Sequence, residues 1–201
     1  MIYGTGCIKS KLDGTEHKYS AGKMTLPEEF SYVGVMPPVL NQGATSKCVC
    51  YSLTAYMDWL KNENEDDNNG GQFNIDELYS IRADKNANGM QIKEALKYLK
   101  HHGLNGYKIN EYAMVGSEIA LKKALIANGP CAAGLPVYTE NQYNAFWDGN
   151  TFAGGHCILI VGYNKEGFII RNSWGRNWAD HGYITLPYSK FGKIFEAWTI
   201  M

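Results

Sequence analysis

Asn41-Gln42-Gly43-Ala44-Thr45-Ser46-Lys47-Cys48 is where the chain changes character. Beyond it Val49, Leu53, Tyr56, Met57 and Leu60 recur at helical spacing, and Ser46 is a suitable N-cap, so the pattern predicts a helix to about Asn62 with Cys48 in its first turn. A thiol with an ordinary pKa of about 8.5 is mostly protonated at neutral pH, and a helix N-terminus puts partial positive charge where the thiolate would form. Cys48 is therefore placed to be reactive. A cysteine is otherwise more often a small buried apolar residue, and Cys50, aimed at a different helix face, keeps that bland reading.

Downstream, the polar and acidic run from Lys61 to Gly71 reads as a solvated loop without the spacing of a calcium loop. Helices follow from Ile75 to about Ala83, from Gln91 to His102 with Ile92, Ala95, Leu96 and Leu99 inward and Gly103 as terminator, and from Ser117 to Ala127 before Asn128-Gly129-Pro130. The pattern then turns to strands: 131–137, 157–163, 167–171, 182–186 and 194–200. Helices followed by strands argue an α+β chain of two lobes meeting at a cleft. Upstream, residues 1–40 are Gly-rich and poorly periodic until Met36-Pro37-Pro38-Val39-Leu40, an extended lead-in.

At 201 residues and 45% hydrophobic the chain can bury a full core as one domain or two packed lobes. A net charge of -1 offers no basic stripe for phosphates, which argues against a nucleic-acid partner. No window approaches the roughly 18 apolar residues that span a bilayer, and the N-terminus lacks the charged start and apolar run of a signal peptide. The five cysteines are an odd number without disulfide-framework spacing. The expectation is a soluble monomer of a reducing, cytoplasmic or other intracellular compartment, without membrane or cofactor.

A thiolate that attacks a carbonyl needs a base that also returns a proton to the leaving amine, and imidazole titrates in the right range. His156 follows Gly154-Gly155 at the expected start of a strand; His17, His101, His102 and His181 carry no comparable context. An amide carbonyl can hold such an imidazole in one tautomer. Asn172 ends the 167–171 strand, and a hairpin across Lys165-Glu166-Gly167 brings it beside His156, with Trp174 placed to cover the pair. The oxyanion needs donors: the Cys48 backbone N–H is one, and the side-chain amide of Gln42 is a second.

Asn41-Gln42-Gly43 with Cys48, Gly155-His156-x-x-Leu159-x-Val161-Gly162-Tyr163, Asn172-Ser173-Trp174-Gly175-x-x-Trp178 and Gly182-Tyr183-Ile184 together resemble the papain-like cysteine proteases, from about residue 26 to the end. The resemblance implies a two-lobed fold with a helical lobe at about 42–115 and a β-barrel-like lobe at about 116–201, behind a leader of residues 1–25. It implies Cys48 as nucleophile, His156 as acid and base, Asn172 as orienter and Gln42 in the oxyanion hole. Gly89, Met90, Gly134, Gly155, Cys157 and Trp174 would line the path of a peptide or protein substrate, with an apolar or aromatic preference two residues before the cut. Pro37-Pro38-Val39, Gly89 to Leu96 and Leu186-Pro187-Tyr188 point to the short microbial or viral subgroup.

The chain departs from that family at Thr45, where a disulfide-forming cysteine is usual, at Lys47, which adds charge and bulk beside the nucleophile, and at Val49, where a large aromatic is usual. His156 and Asn172 follow Cys48 by 108 and 124 residues, short of the roughly 130–150 in lysosomal relatives. Only about 25 residues precede the matching region, in place of a propeptide, and this leader with Cys7 is expected to lie near the cleft as a plug or strap. Two other readings stand beside the peptidase. One is a catalytically quiet module that holds a peptide in the cleft. The other is a metal site from Cys48, Cys50, His156 and Cys157, disfavoured because adjacent strand residues such as His156 and Cys157 point to opposite faces.

Overall fold

The structure, a computed structural model, describes residues 3–65 and 73–201; of the acidic run expected as a loop, residues 61–65 instead continue the first helix, and the rest, from Asp66 onward, lies outside the described residues. Its first elements are two short strands, β1 (Cys7–Ile8) and β2 (Phe30–Ser31). The first helix, α1 (Cys48–Glu65), follows. Lys47, not Ser46, stands in the capping place, because its carbonyl accepts the first helical bond from Tyr51 N–H at 2.9 Å. A turn closed by Thr45 on the Gln42 carbonyl occupies the residues just before and delays the helix. From Cys48 to Trp59 nearly every side chain of α1 is buried, so it is a central helix walled on all sides rather than a surface one.

Helix α2 (Ile75–Ser80) is capped by Asn74, whose side chain accepts from the N–H groups of Asp76 and Glu77. A two-residue strand β3 (Met90–Gln91) leads into α3 (Ile92–His101), which buries Ile92, Ala95, Leu96 and Leu99 as the periodicity predicts. Gly103 ends it at φ +74°, donating to the Tyr98 carbonyl. After β4 (Tyr112–Met114) comes α4 (Glu118–Asn128), capped by Ser117 and closed by Gly129.

The remaining strands are β5 (Cys131–Tyr138), β6 (Phe152–Tyr163), β7 (Gly167–Arg171), β8 (Tyr183–Pro187) and β9 (Glu196–Ile200). They form one sheet in the order β4-β9-β5-β6-β7-β8, with β2 added to the end of β6. Every neighbouring pair is antiparallel. The fold class is α+β as expected, but the sheet is not closed into a barrel: it ends at β4 and β8. β6 begins five residues before the expected 157, so His156 lies inside a strand and not at its start.

Period-2 alternation sorts the central strands onto two cores. Ala132, Cys157, Leu159 and Val161 face α1 and α3, in a cluster with Cys48, Leu53 and Leu96. Cys131, Ala133, Ile158 and Ile160 face the other way, in a cluster with Leu121, Phe146, Trp174 and Trp178. Burial on both faces explains why these strands read as continuous apolar runs. Behind them, the Arg171 guanidinium donates to the Pro37 and Pro38 carbonyls at 3.0 and 2.8 Å, fixing the extended lead-in beside the sheet.

Candidate active site

Cys48 is the first residue of α1 and fully buried. Burial is the main reason its thiol pKa is pushed up; the neighbouring Cys157 adds to this, and backbone hydrogen bonds from Cys157 and Val49 oppose it. The charge expected beside it is directed elsewhere. Lys47 Nζ lies 2.5 Å from Asp76 Oδ1 and 5.5 Å from the centre of the Tyr79 ring, so its side chain lies along α2. Val49 is buried in the helical core.

His156 is fully buried and its ring is fixed on three sides. Nε2 is 2.7 Å from Asn172 Oδ1, Trp174 stacks on the ring at 4.5 Å between centroids, and Phe146 meets it edge-on at 5.9 Å. Asn172 Oδ1 also accepts from Ser173 N–H at 2.8 Å, which assigns the oxygen, and not the amide nitrogen, to the side facing His156. A carbonyl oxygen only accepts, so Nε2 carries the proton. In the neutral ring the lone pair is then on Nδ1, which is buried without a hydrogen-bond partner. Burial lowers the His156 pKa from 6.5 to about 4, opposed by the Asn172 contact, so the imidazole is neutral at pH 7.

Gln42 is buried between these parts. Its Oε1 accepts from the Ser173 hydroxyl at 2.6 Å, which turns its amide N–H groups toward the Thr45 carbonyl at 2.7 Å and the Gly4 carbonyl at 3.2 Å. Ser173 thus holds both Asn172 and Gln42 in orientation. Sequence reasoning passed over it, although it sits inside the Asn172-Ser173-Trp174 run.

Residues 3–10 lie along the cleft. Tyr3 stacks on Trp174, and the Gly4 carbonyl accepts from both Trp174 Nε1 at 3.1 Å and Gln42. Gly6 donates to the Gly155 carbonyl at 2.8 Å and accepts from Met90 N–H at 2.8 Å, and β1 then pairs parallel to β3 with Cys7 opposite Met90. Backbone approach is close enough that a Cβ on Gly89, at φ +142°, would stand 2.2 Å from the Gly6 oxygen. Gly134, paired with Cys157 across β5 and β6, has its open side filled by the Phe195 ring. Ser10 N–H donates to the buried Glu196 carboxylate at 3.0 Å, which also accepts from Trp198 Nε1. Glu196 is a second residue that sequence reasoning passed over, since nothing in the β9 pattern marks which side of Gly134 it borders.

Gln42, Trp174, Met90 and Gly155 thus bond the leader at Gly4 and Gly6, and Cys48 and Cys157 share the packed cluster of Cys7, while His156 and Asn172 are bonded to each other beside Trp174 and Phe146. Among the described residues no group of three or more His, Cys, Asp or Glu is arranged to hold a metal ion, and no helix is long and apolar enough to cross a membrane.

The profile of the papain family cysteine proteases matches residues 30–194. Among curated relatives, cysteine proteinase 3 of Entamoeba histolytica is 24% identical over 86% of this chain and 66% of its own length. The cathepsin L-like proteinase of Fasciola hepatica is 25% identical over 86% and 64%. The chain thus spans a little under two thirds of those relatives. Xylellain, a cysteine protease from Xylella fastidiosa, shares the fold with a TM-score of 0.81 at 24% identity, over 98% of this chain and 96% of that one. A Carica candamarcensis cysteine protease solved with E-64 superposes with a TM-score of 0.71 at 19% identity, over 88% and 99%. With more than half of its length matched by that profile, this chain belongs to the papain family of cysteine proteases.

Proposed function

We propose that the chain hydrolyses peptide bonds with Cys48 as nucleophile, His156 as acid and base, Asn172 as orienter and Gln42 as oxyanion donor. The carrying observation is the His156 ring: locked by Asn172 through Nε2, it has a buried Nδ1 lone pair without a hydrogen-bond partner. In this reading Nδ1 takes the Cys48 proton, and the thiolate attacks the scissile carbonyl. The Cys48 backbone N–H, unpaired in the helix because it belongs to the first turn, and Gln42 Nε2 receive the oxyanion. His156 returns the proton to the leaving amine, leaving a thioester. It then draws a proton from water, whose oxygen attacks the thioester, and hands that proton back to sulfur as the acid product leaves.

Residues 1–25 act as a leader and 26–201 as the peptidase unit. The leader holds the polar groups that a substrate would use: the donors Gln42 and Trp174 at Gly4, and the Met90 N–H donor and the Gly155 carbonyl acceptor at Gly6. It also dries the site, which favours neutral thiol and imidazole over the ion pair. Substrate entry in this reading requires the leader to lift, after which Gly89, Met90, Gly134, Gly155, Cys157 and Trp174 line the substrate path. All these residues come from one chain, so the reading needs no second copy, and five unpaired cysteines support a reducing compartment.

A second reading, a catalytically quiet module that holds a peptide in the same groove, draws on the burial of Cys48 and its raised pKa. Mass-spectrometric profiling of a peptide library separates the two. The peptidase reading expects cleavage by the chain lacking residues 1–20 and none by the same chain with Cys48→Ala. Cleavage that survives Cys48→Ala overturns the assignment, and an inert leader-deleted chain supports the quiet module.

A further inference from the structure

Tyr3 of the leader is held by its backbone as well as its ring. Gln142, only 3% exposed, takes the Tyr3 N–H on Oε1 at 3.1 Å and offers Nε2 to the Tyr3 carbonyl at 3.4 Å. The backbone carbonyl of Gln142 accepts from Trp178 Nε1 at 2.6 Å, which fixes the residue from behind. The Tyr3 ring stacks on Trp174 and meets the edge of Tyr143 at 5.7 Å and 71°. Trp174 is itself braced by Trp178 at 5.4 Å and Phe146 at 5.2 Å, whereas Tyr143 is 61% exposed. None of these contacts requires the leader in particular. Gln142 reads the N–H and C=O of one peptide residue, and the two rings read an aromatic side chain. When the leader lifts, a buried side-chain amide loses its bonds to Tyr3, and such a group is costly to leave unpaired.

We propose that Gln142, Tyr143 and Trp174 form a subsite for an aromatic residue of the substrate, the first residue of the leaving segment, so that cleavage falls before Tyr, Phe or Trp. The position follows from two contacts. The Gly4 carbonyl sits on Gln42 Nε2, the donor assigned to the oxyanion, and Tyr3 is the next residue toward Trp174, the indole stacked on His156. His156 gives its proton to the leaving amine, so the side that carries Trp174 belongs to the segment that departs with that amine. In the leader the order is reversed: the nitrogen attached to the Gly4 carbonyl belongs to Thr5, away from Tyr3, so no leaving amine faces His156 there. The side of the cut rests on the peptidase reading; the ring site itself does not, because Tyr3 already fills it.

The test uses the full chain with Tyr3→Ala, which removes the occupant, and Gly6→Ala, whose Cβ would stand 2.4 Å from the Ser46 carbonyl oxygen and expel the leader. It is read first without chemistry. With Cys48→Ala added, tyrosinamide and leucinamide are titrated and followed by broadening of their own proton resonances. Tyrosinamide is expected to bind about fivefold more tightly, the worth of an aromatic pair beyond its area. Gln142→Ala is expected to weaken both amides alike, and Tyr143→Ala, at an exposed position that does not endanger folding, to bring tyrosinamide toward leucinamide. Equal affinities, or a preference that Tyr143→Ala leaves intact, overturn the proposal. The second readout restores Cys48 and acylates it with a peptide ester. Each amide then competes with water: its nitrogen attacks the thioester carbonyl, the C–S bond breaks, and the amine proton passes through His156 to sulfur. Tyrosinamide is expected to capture about fivefold more acyl group than leucinamide at equal concentration. Capture without preference, where binding shows one, places the ring site off the leaving segment and overturns the proposal. A chain that forms no thioester defeats the peptidase reading and leaves the binding comparison to decide the ring site.

Discussion

Tyr3 lies flat on Trp174, with ring centroids 4.9 Å apart and planes 10° from parallel, on an indole that is itself stacked on His156. Gly4, next in sequence, takes a hydrogen bond from the same indole. The aromatic pair is worth about 1 kcal/mol beyond its buried area, which corresponds to roughly fivefold in a docking equilibrium. Tyr3→Ala is expected to speed Cys48 alkylation by iodoacetamide at neutral pH by about that factor or more. An unchanged rate would mean that the leader is not held here in solution.

Gly6 gives a sharper version of the same test. It sits at φ +137°, and a Cβ there would stand 2.4 Å from the Ser46 carbonyl oxygen, a backbone atom that cannot turn aside. Gly6→Ala is therefore expected to expel the leader without touching the catalytic side chains. Limited proteolysis is expected to cut within residues 3–10 at least tenfold faster than in the wild type. Equal resistance to proteolysis would show that the leader finds another seat.

Burial of His156 sets a pH dependence with a definite sign. Its folded pKa of about 4 lies below the ordinary 6.5, so the unfolded chain takes up this proton first as pH falls. The neutral buried ring costs no stability above pH 6.5, and stability is lost as pH falls from 6.5 toward 4, by about 3 kcal/mol. Urea unfolding at pH 7.5 and 4.5 is expected to show a loss in wild type that is markedly smaller in His156→Gln. Identical losses in both chains would place the sensitivity in other groups.

In the proposed mechanism Asn172 is a positioning residue, and its replacement should separate orientation from charge. Asn172→Ala removes a buried hydrogen bond worth about 2 kcal/mol, and is expected to lower kcat/KM roughly thirtyfold. Asn172→Asp keeps the acceptor and adds a negative charge, which raises the His156 pKa and shifts the acid limb of the kcat/KM profile upward. If both variants lose activity without a shift in the profile of Asn172→Asp, the amide has only a packing role.

Much of this was legible in the chain itself, for physical reasons that differ from residue to residue. The inward set of α3 followed from period 3.6 because one face of that helix packs on the core. The continuous runs at 131–137 and 157–163 read as strands because both sides of the sheet are covered. The contact of His156 with Asn172 followed from the hairpin and from the chemistry of a carbonyl acceptor. The short strands β1 to β4 carry too few residues for any period to show, and the leader course depends on backbone bonds that no side-chain pattern encodes. Lys47 looked like a charge for the thiolate because Asp76, its partner, lies 29 residues away in sequence. Glu196 and Ser173 were missed because their roles arise only when β9, β5 and the Gln42 turn converge.

The central claim is that Cys48 forms a thioester during peptide-bond hydrolysis. Leader-deleted protein mixed with an activated peptide ester, quenched in acid within one turnover and digested should carry the acyl group on the peptide containing Cys48, and Cys48→Ala should carry none. An acyl group on Cys157 or Cys50, or substrate turnover with no adduct on Cys48, would contradict it.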